Sequence, residues 1–132
     1  MASLIGFYSL IFGFCLSLLI TLFSIKNLRN SNIFDKKLIS LTFLQFFFVV
    51  ISFFGLIFSF VNSDFSNETV FNHSHTTIPL FYKVSGTWGN HEGSLLLWLL
   101  VLTLFIFLFL LKTKKQIKNY RILTLIFQEV II

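Results

Sequence analysis

Three long apolar stretches, separated by segments that carry the charged residues, organise this chain of 132 residues. The first covers residues 1–25, the second 38–61 and the third 95–111, and none of them contains a charged side chain. A hydrocarbon layer about 30 Å thick is crossed by a helix of about 20 apolar residues. The pattern therefore predicts an all-α integral membrane protein with three transmembrane helices at these positions.

A fourth apolar stretch follows near the C-terminus. Residues 112–132 begin with a basic segment and continue with 11 apolar-patterned residues, 122–132, which include Glu129. That length is too short to cross a membrane. We therefore expect the start of a possible fourth transmembrane helix that is truncated.

The charged residues predict the orientation of these helices. Residues 26–37 and 112–121 hold nine of the ten Lys and Arg residues, whereas residues 62–94 have a formal charge of −2. Short basic connectors stay on the cytoplasmic side of a membrane, or on its mitochondrial counterpart. We expect residues 26–37 and 112–132 to be inner segments. The loop 62–94 then faces the periplasm or the intermembrane space.

Composition agrees with a membrane protein and excludes a soluble globular one. Hydrophobic residues make up 56% of the chain and charged residues 11%, and 20 residues are Phe. A soluble domain of this size has too little interior to bury so many large apolar side chains. The net charge of +5 lies at the ends of apolar segments. It is therefore interpreted as a topology signal, with membrane lipid and not nucleic acid as the partner.

The Cys and His residues give little indication of a metal site. Cys15 is the single cysteine, so no internal disulfide can form. His73 and His75 are two residues apart, and in an extended segment they could share a transition metal. Without a third ligand nearby, a solvated loop with two unrelated imidazoles is the favoured interpretation, and no metal site is predicted.

The string from Trp88 to Trp98 is the most specific feature of the loop. If a helix begins near Trp88, the spacings of 3, 4 and 3 residues to His91, Leu95 and Trp98 place all four on one stripe. Two indole rings beside an imidazole at the membrane surface suit a flat, partly apolar ligand. The alternative is that the Trp residues belong to an ordinary interfacial belt.

Two glycines and a His-Glu pair lie within the same string. Gly89 and Gly93 are four residues apart, which would let another helix or a macrocycle approach closely. His91 and Glu92 are adjacent and could form a polar anchor. The alternative is that His91 is only hydrogen-bonded to Glu92 or to a backbone carbonyl.

Three sequence strings together resemble the first external loop of the CcmF family, the cytochrome c-type biogenesis haem lyases of bacteria and some mitochondria. They are Ser-Asp-Phe-Ser at 63–66, Ile-Pro-Leu-Phe-Tyr-Lys at 78–83 and Thr-Trp-Gly-Asn-His-Glu-Gly-Ser-Leu-Leu-Leu-Trp at 87–98. The order of elements also agrees, with two spans before the loop and one after it. The resemblance covers most of this chain but only the N-terminal portion of a full-length member.

The resemblance implies a function in haem attachment. Members of this family take haem from a haem chaperone and join its vinyl groups to the two thiols of a Cys-x-x-Cys-His motif in apocytochrome c. Their Trp-rich segment and haem-ligating histidines would lie beyond residue 132. The resemblance therefore implies part of a haem lyase that is not complete alone and carries no catalytic residue. The chain would be a fragment or a split-gene subunit, with the remaining CcmF portion as its partner.

The resemblance also selects a set of candidate residues for contact with haem or with a partner chain. These are Trp88, Gly89, His91, Glu92, Gly93 and Trp98. The indoles would give apolar contact, the glycines close approach, and the His-Glu pair a polar anchor for a propionate or a neighbouring loop. A rival hypothesis is a non-catalytic membrane assembly or scaffold subunit of a transporter-type complex, whose loop only packs against partner chains.

The residue usage bears on the location of the protein. Phe, Ile, Asn and Lys, which have A/T-rich codons, are abundant, and Ala2 is the single alanine. This bias indicates an A/T-rich genome. We expect the mitochondrial inner membrane, with a bacterial inner membrane as the alternative.

Overall fold

The structure, a computed structural model, describes residues 2–29, 35–113 and 118–131. Within these ranges the backbone forms six helices and no strand. The helices are α1 (Ala2–Arg29), α2 (Asp35–Val61), α3 (Glu68–His73), α4 (Leu80–Gly86), α5 (His91–Lys112) and α6 (Lys118–Ile131). An all-helical structure is expected in lipid, because a helix satisfies its backbone hydrogen bonds internally.

Three of the helices are long and apolar enough to cross a membrane: Ser3–Lys26, Lys37–Val61 and His91–Lys112. A shorter apolar helix covers Ile122–Ile131. The predicted all-α membrane fold, with three spans and a shorter fourth apolar segment, is confirmed. The centres of the two predicted basic connectors, 30–34 and 114–117, lie outside the described residues.

On α1 the buried face consists mostly of small and polar residues, whereas most of its large apolar residues are exposed. The buried face of α1 repeats every three or four residues, at Gly6, Ser9, Gly13, Ser17, Ile20 and Ser24. A Cβ atom on Gly6 would lie 3.4 Å from the Ser52 carbonyl oxygen of α2, so the two backbones approach closely there. Membrane helices pack through small residues in this way, because large apolar side chains are equally well placed in lipid.

Several buried hydroxyl groups within the spans donate to carbonyls of their own helices, whereas the Ser24 hydroxyl has no hydrogen-bond partner among the described residues. The Thr42 hydroxyl donates to the Leu38 carbonyl at 3.1 Å. The Thr103 hydroxyl donates to the Leu99 carbonyl at 3.0 Å. Such bonds to the preceding turn remove the penalty for an unpaired donor in an apolar surrounding.

The last helix, α6, packs among the spans and does not lie apart from them. Leu125 belongs to a buried apolar cluster with Ile20 of α1, Leu38 of α2 and Ile106 of α5. Gln128 of α6 donates from Nε2 to the Leu102 carbonyl of α5 at 3.2 Å. Apolar packing and hydrogen bonding therefore both hold α6 against the bundle.

The predicted loop 62–94 contains two short helices. Asn67 caps α3 by accepting a hydrogen bond from the Thr69 backbone N–H at 3.0 Å, which is the usual role of Asn before a first turn. Pro79 directly precedes α4, where its missing N–H costs no helical hydrogen bond. The segment is thus a folded cap on one end of the bundle.

Candidate functional site

The turn between α4 and α5 centres on the side chain of Asn90. Its Oδ1 accepts a hydrogen bond from the Gly93 backbone N–H at 2.6 Å, and its Nδ2 donates to the Gly86 carbonyl at 2.9 Å. The residue is buried and forms the N-cap of α5. One side-chain amide is therefore hydrogen-bonded both to the end of α4 and to the start of α5.

Gly93 is in close contact with the backbone of the same turn. A Cβ atom at this position would lie 1.6 Å from the Thr87 carbonyl oxygen, so only glycine fits. Thr87 is completely buried, and its hydroxyl donates to the Val84 carbonyl at 2.6 Å. At Gly89 a Cβ atom would be 3.4 Å from its nearest neighbour, the Ser85 carbonyl oxygen. Gly93 therefore has no space for a side chain, whereas Gly89 has space for a methyl group.

The C-terminal end of α2 has a defined cap and packs against α4. Ser63 adopts a left-handed φ of 52°. The Asp64 N–H bonds the Ser59 carbonyl at 2.9 Å and the Ser63 N–H bonds the Phe60 carbonyl at 3.1 Å, which closes the helix as a Schellman motif. The Ser66 hydroxyl then donates to the Asp64 carboxylate and lowers the pKa of that carboxyl below its ordinary value.

Two contacts join α4 to this helix end. Lys83 donates from Nζ to the Ser63 hydroxyl at 2.6 Å. Gly86 lies over the completely buried ring of Phe60, since a Cβ atom there would be 3.5 Å from the ring. Through these contacts α2, α4 and α5 form one connected support under residues 87–93.

An exposed stripe runs down α5 from this support. His91 is the first residue of the helix, and Leu95 and Trp98 follow at spacings of four and three on the same exposed face. Trp98 is 67% exposed although it is the largest side chain of the helix. Trp88, which is 42% exposed, lies in the turn before α5. The prediction that a helix begins near Trp88 and places four residues on one stripe is wrong for Trp88. Asn90 is the N-cap and α5 begins at His91, so only His91, Leu95 and Trp98 share the helical face.

The Glu92 side chain faces a different direction from His91. It lines a cavity of about 370 Å³ together with Glu68, and apolar residues such as Phe7 and Leu96 form much of the remaining wall. Adjacent helix positions differ by about 100° around the axis. His91 and Glu92 therefore serve two surfaces, the exposed stripe and the cavity.

The other histidines lie at the end of α3 and in the segment that follows it. The His73 Nδ1 lies 3.0 Å from the Thr69 carbonyl within α3, and His75 is exposed in the following turn. In the described ranges no three His, Cys, Asp or Glu side chains are grouped closely enough to hold a metal ion. His91 and Trp98 lie about two helical turns apart on the same exposed face of α5, which suits contact with an extended flat ring system.

Two residues that organise the site were missed in the sequence. Asn90 was an unassigned position of the string, although Asn directly before an apolar helix is a recognised N-cap signal. Thr87 carries no such signal, because its role depends on the burial of its carbonyl against Gly93. Sequence spacing alone does not reveal that contact.

Comparison with known proteins finds relatives by sequence. No protein-family model matches the sequence. The chain is 54% identical over 61 residues to the cytochrome c-type biogenesis protein Ccl1 of Rhodobacter capsulatus, covering 46% of this chain and 9% of that protein. It is 42% identical over 104 residues to the cytochrome c-type biogenesis protein CycK of Bradyrhizobium diazoefficiens, covering 76% of this chain and 15% of that protein.

The fold matches a solved structure of the cytochrome c haem lyase CcmF. The TM-score is 0.90 at 26% sequence identity, and the match covers 99% of this chain and 22% of that protein. The chain thus spans less than a quarter of the length of each of these proteins.

Proposed function

We infer the function of this chain from its membership of the CcmF family of cytochrome c-type biogenesis proteins, of which it corresponds to an N-terminal portion. We propose that it is a subunit or part of a cytochrome c haem lyase. In this role it helps to present haem for covalent attachment to apocytochrome c at the outer membrane face. The remaining lyase portion, a haem chaperone and apocytochrome c are the proposed partners.

One structural observation carries this proposal. Residues 87–93 are held by buried backbone contacts, and the helix that begins there carries the exposed side chains of His91, Leu95 and Trp98. A rigid support under an exposed aromatic surface is the arrangement expected for a docking surface, because little ordering is needed when a ligand binds. Haem, when bound by the complex, supplies the reactive vinyl groups.

The candidate residues then have distinct proposed roles. Trp98 and Trp88 offer apolar area to a haem edge or to a neighbouring loop, and His91 offers a hydrogen bond to a propionate. Glu92 lines the cavity and would therefore contact a different part of a partner from the one that His91 contacts. Gly93 has a structural role within its own chain, because its missing side chain leaves space for the Thr87 carbonyl. Gly89 is exposed and would let a partner approach the turn closely.

The test of this function is reconstitution. The chain is expressed in a bacterial strain whose own CcmF gene is deleted, first alone and then with the remaining portion of a CcmF protein that lacks this segment. We expect no covalent haem on a reporter c-type cytochrome from the chain alone. Haem staining of the reporter should return when both parts are present. Covalent attachment by the chain alone, or no recovery with an expressed and associated pair, would contradict the proposal.

A scaffold subunit is the second candidate function. The observation that favours it is the number of large apolar side chains exposed around the bundle, Phe81 and Trp98 among them, which suit contact with partner chains as well as with lipid. The two functions differ in whether the complex binds haem. A purified complex containing this chain should retain haem if it belongs to the lyase, and should lack haem if it is only a scaffold.

The proposed location is the mitochondrial inner membrane, or a bacterial inner membrane, with residues 62–94 on the outer side. A Cys15→Ser background removes the native thiol. In that background Thr76→Cys, at an exposed turn position, should react with an impermeant thiol reagent in intact cells or mitoplasts, and Lys112→Cys, exposed at the end of α5, should not. Labelling is measured by gel shift. The opposite labelling pattern would reverse the topology.

A further inference from the structure

A carboxyl group is buried where three helices meet. Glu129 of α6 is 3% exposed. Gln45 of α2, which is 1% exposed, donates from Nε2 to the Glu129 Oε2 at 3.0 Å. Ser17 of α1 is a second side-chain hydrogen-bond partner of this carboxyl. An acidic side chain in the interior of a membrane bundle is costly to place there and commonly has a function.

No cation among the described neighbours compensates this carboxyl. The ionisable residues of α1, α2 and α5 are either exposed, as Tyr8 and Cys15 are, or occupy the ends of the helices. Those at the ends are Lys26, Arg29, Asp35, Lys36, Lys37, His91, Glu92 and Lys112. Lys37 is eight residues from Gln45, which is about 12 Å along the helix axis. On α6 itself, the ionisable residues Lys118, Tyr120 and Arg121 precede Glu129 in the sequence by eight residues or more.

The two carboxyl oxygens have different surroundings. Oε2 receives the Gln45 amide hydrogen, whereas Oε1 is buried and has no hydrogen-bond partner in the part of the chain that the structure describes. An ionised carboxylate needs donors on both oxygens, and in an apolar surrounding its charge is unfavourable. A neutral acid needs one donor for its carbonyl oxygen and carries its own hydrogen on the other oxygen. Oε1 has neither a donor nor an acceptor among the described residues, and this costs less for a neutral O–H than for a charged oxygen, so the contacts favour the neutral acid.

We propose that Glu129 is a proton-binding site inside the bundle, with the proton on Oε1 and with Gln45 as the positioning residue for Oε2. The carboxylate takes up one proton from water and becomes a carboxylic acid, and no other bond changes. The neutral Glu129–Gln45 pair, together with the bond from Gln128 to the Leu102 carbonyl, then fixes α6 against α2 and α5.

Infrared spectroscopy of the chain in lipid nanodiscs tests this site directly. The carbonyl stretch of a protonated carboxylic acid is resolved from that of a carboxylate. We expect the native chain to show an acid band at neutral pH and Glu129→Gln to lose it, because the amide mimics the neutral acid in shape and hydrogen bonding. Glu68→Gln is the matched control at an exposed position and should retain the band. No acid band in the native chain, or a band that survives in Glu129→Gln, would overturn the proposal.

A second variant keeps the test decisive if Glu129→Gln does not fold. Gln45→Leu removes the donor to the carbonyl oxygen but leaves the acid itself. Loss of a hydrogen bond raises a carbonyl stretching frequency, so the acid band should remain and move to higher frequency. A band in Gln45→Leu at the native frequency would show that the protonated group is not the one that Gln45 contacts, and would refute the assignment.

Discussion

Replacing Gly93 with Ala should disrupt the junction between α4 and α5 more than any other single-methyl change in the Trp88–Trp98 string. The added Cβ would lie 1.6 Å from the Thr87 carbonyl oxygen and 2.8 Å from its carbonyl carbon. Both are backbone atoms that cannot rotate away. Overpacking of a closely packed site usually costs about 1–3 kcal/mol, and a clash with backbone should reach about 3 kcal/mol or more.

The measurement is the free energy of unfolding in detergent micelles, with covalent haem on a reporter cytochrome as a second readout in the reconstituted pair. Gly89→Ala is the matched control, since its Cβ would be 3.4 Å from the nearest atom and the residue is exposed. We expect that control to change stability by no more than about 0.5 kcal/mol. Equal behaviour of the two variants would show that the contact between Gly93 and Thr87 does not determine the junction.

The global fold was predictable because lipid imposes strong constraints on a sequence. Apolar length predicts the spans, and the relatives and the matching fold confirm the resemblance to the CcmF family. The start of α5 was less predictable. Hydropathy placed it at residue 95, whereas the structure begins it at His91, because the Asn90 cap is a local hydrogen-bond property that hydropathy does not measure.

The roles of the site residues depended on contacts that no spacing rule contains. The spacing of four residues between Gly89 and Gly93 does not distinguish them, yet a Cβ atom at Gly93 would clash with a carbonyl oxygen at 1.6 Å, whereas one at Gly89 would be 3.4 Å from its nearest atom. Glu129 was predicted within a short apolar segment, but its burial beside Gln45 depends on how α6 packs against α2. Long-range packing of this kind becomes visible only in three dimensions.

Replacing Trp98 with Ala should have its large effect on the assembled lyase and not on this chain alone. Trp98 is 67% exposed, so its truncation removes little contact within the chain, and stability should change by no more than about 0.5 kcal/mol. If the partner portion covers the indole, its loss resembles a buried Trp→Ala change of roughly 3–5 kcal/mol. Association with the partner should then weaken more than about a hundredfold, since about 1.4 kcal/mol is tenfold in affinity.

The association is measured by co-purification of the two lyase portions at several concentrations, with covalent haem on the reporter cytochrome as the functional readout. Trp98→Phe is the conservative control. It keeps most of the apolar area, and should retain most of the association, but loses the indole N–H. Loss in the Ala variant with retention in the Phe variant would mean that apolar area at α5 carries the contact. Unchanged association of the Ala variant would instead place Trp98 against lipid, as an interfacial anchor, and would remove it from the docking surface.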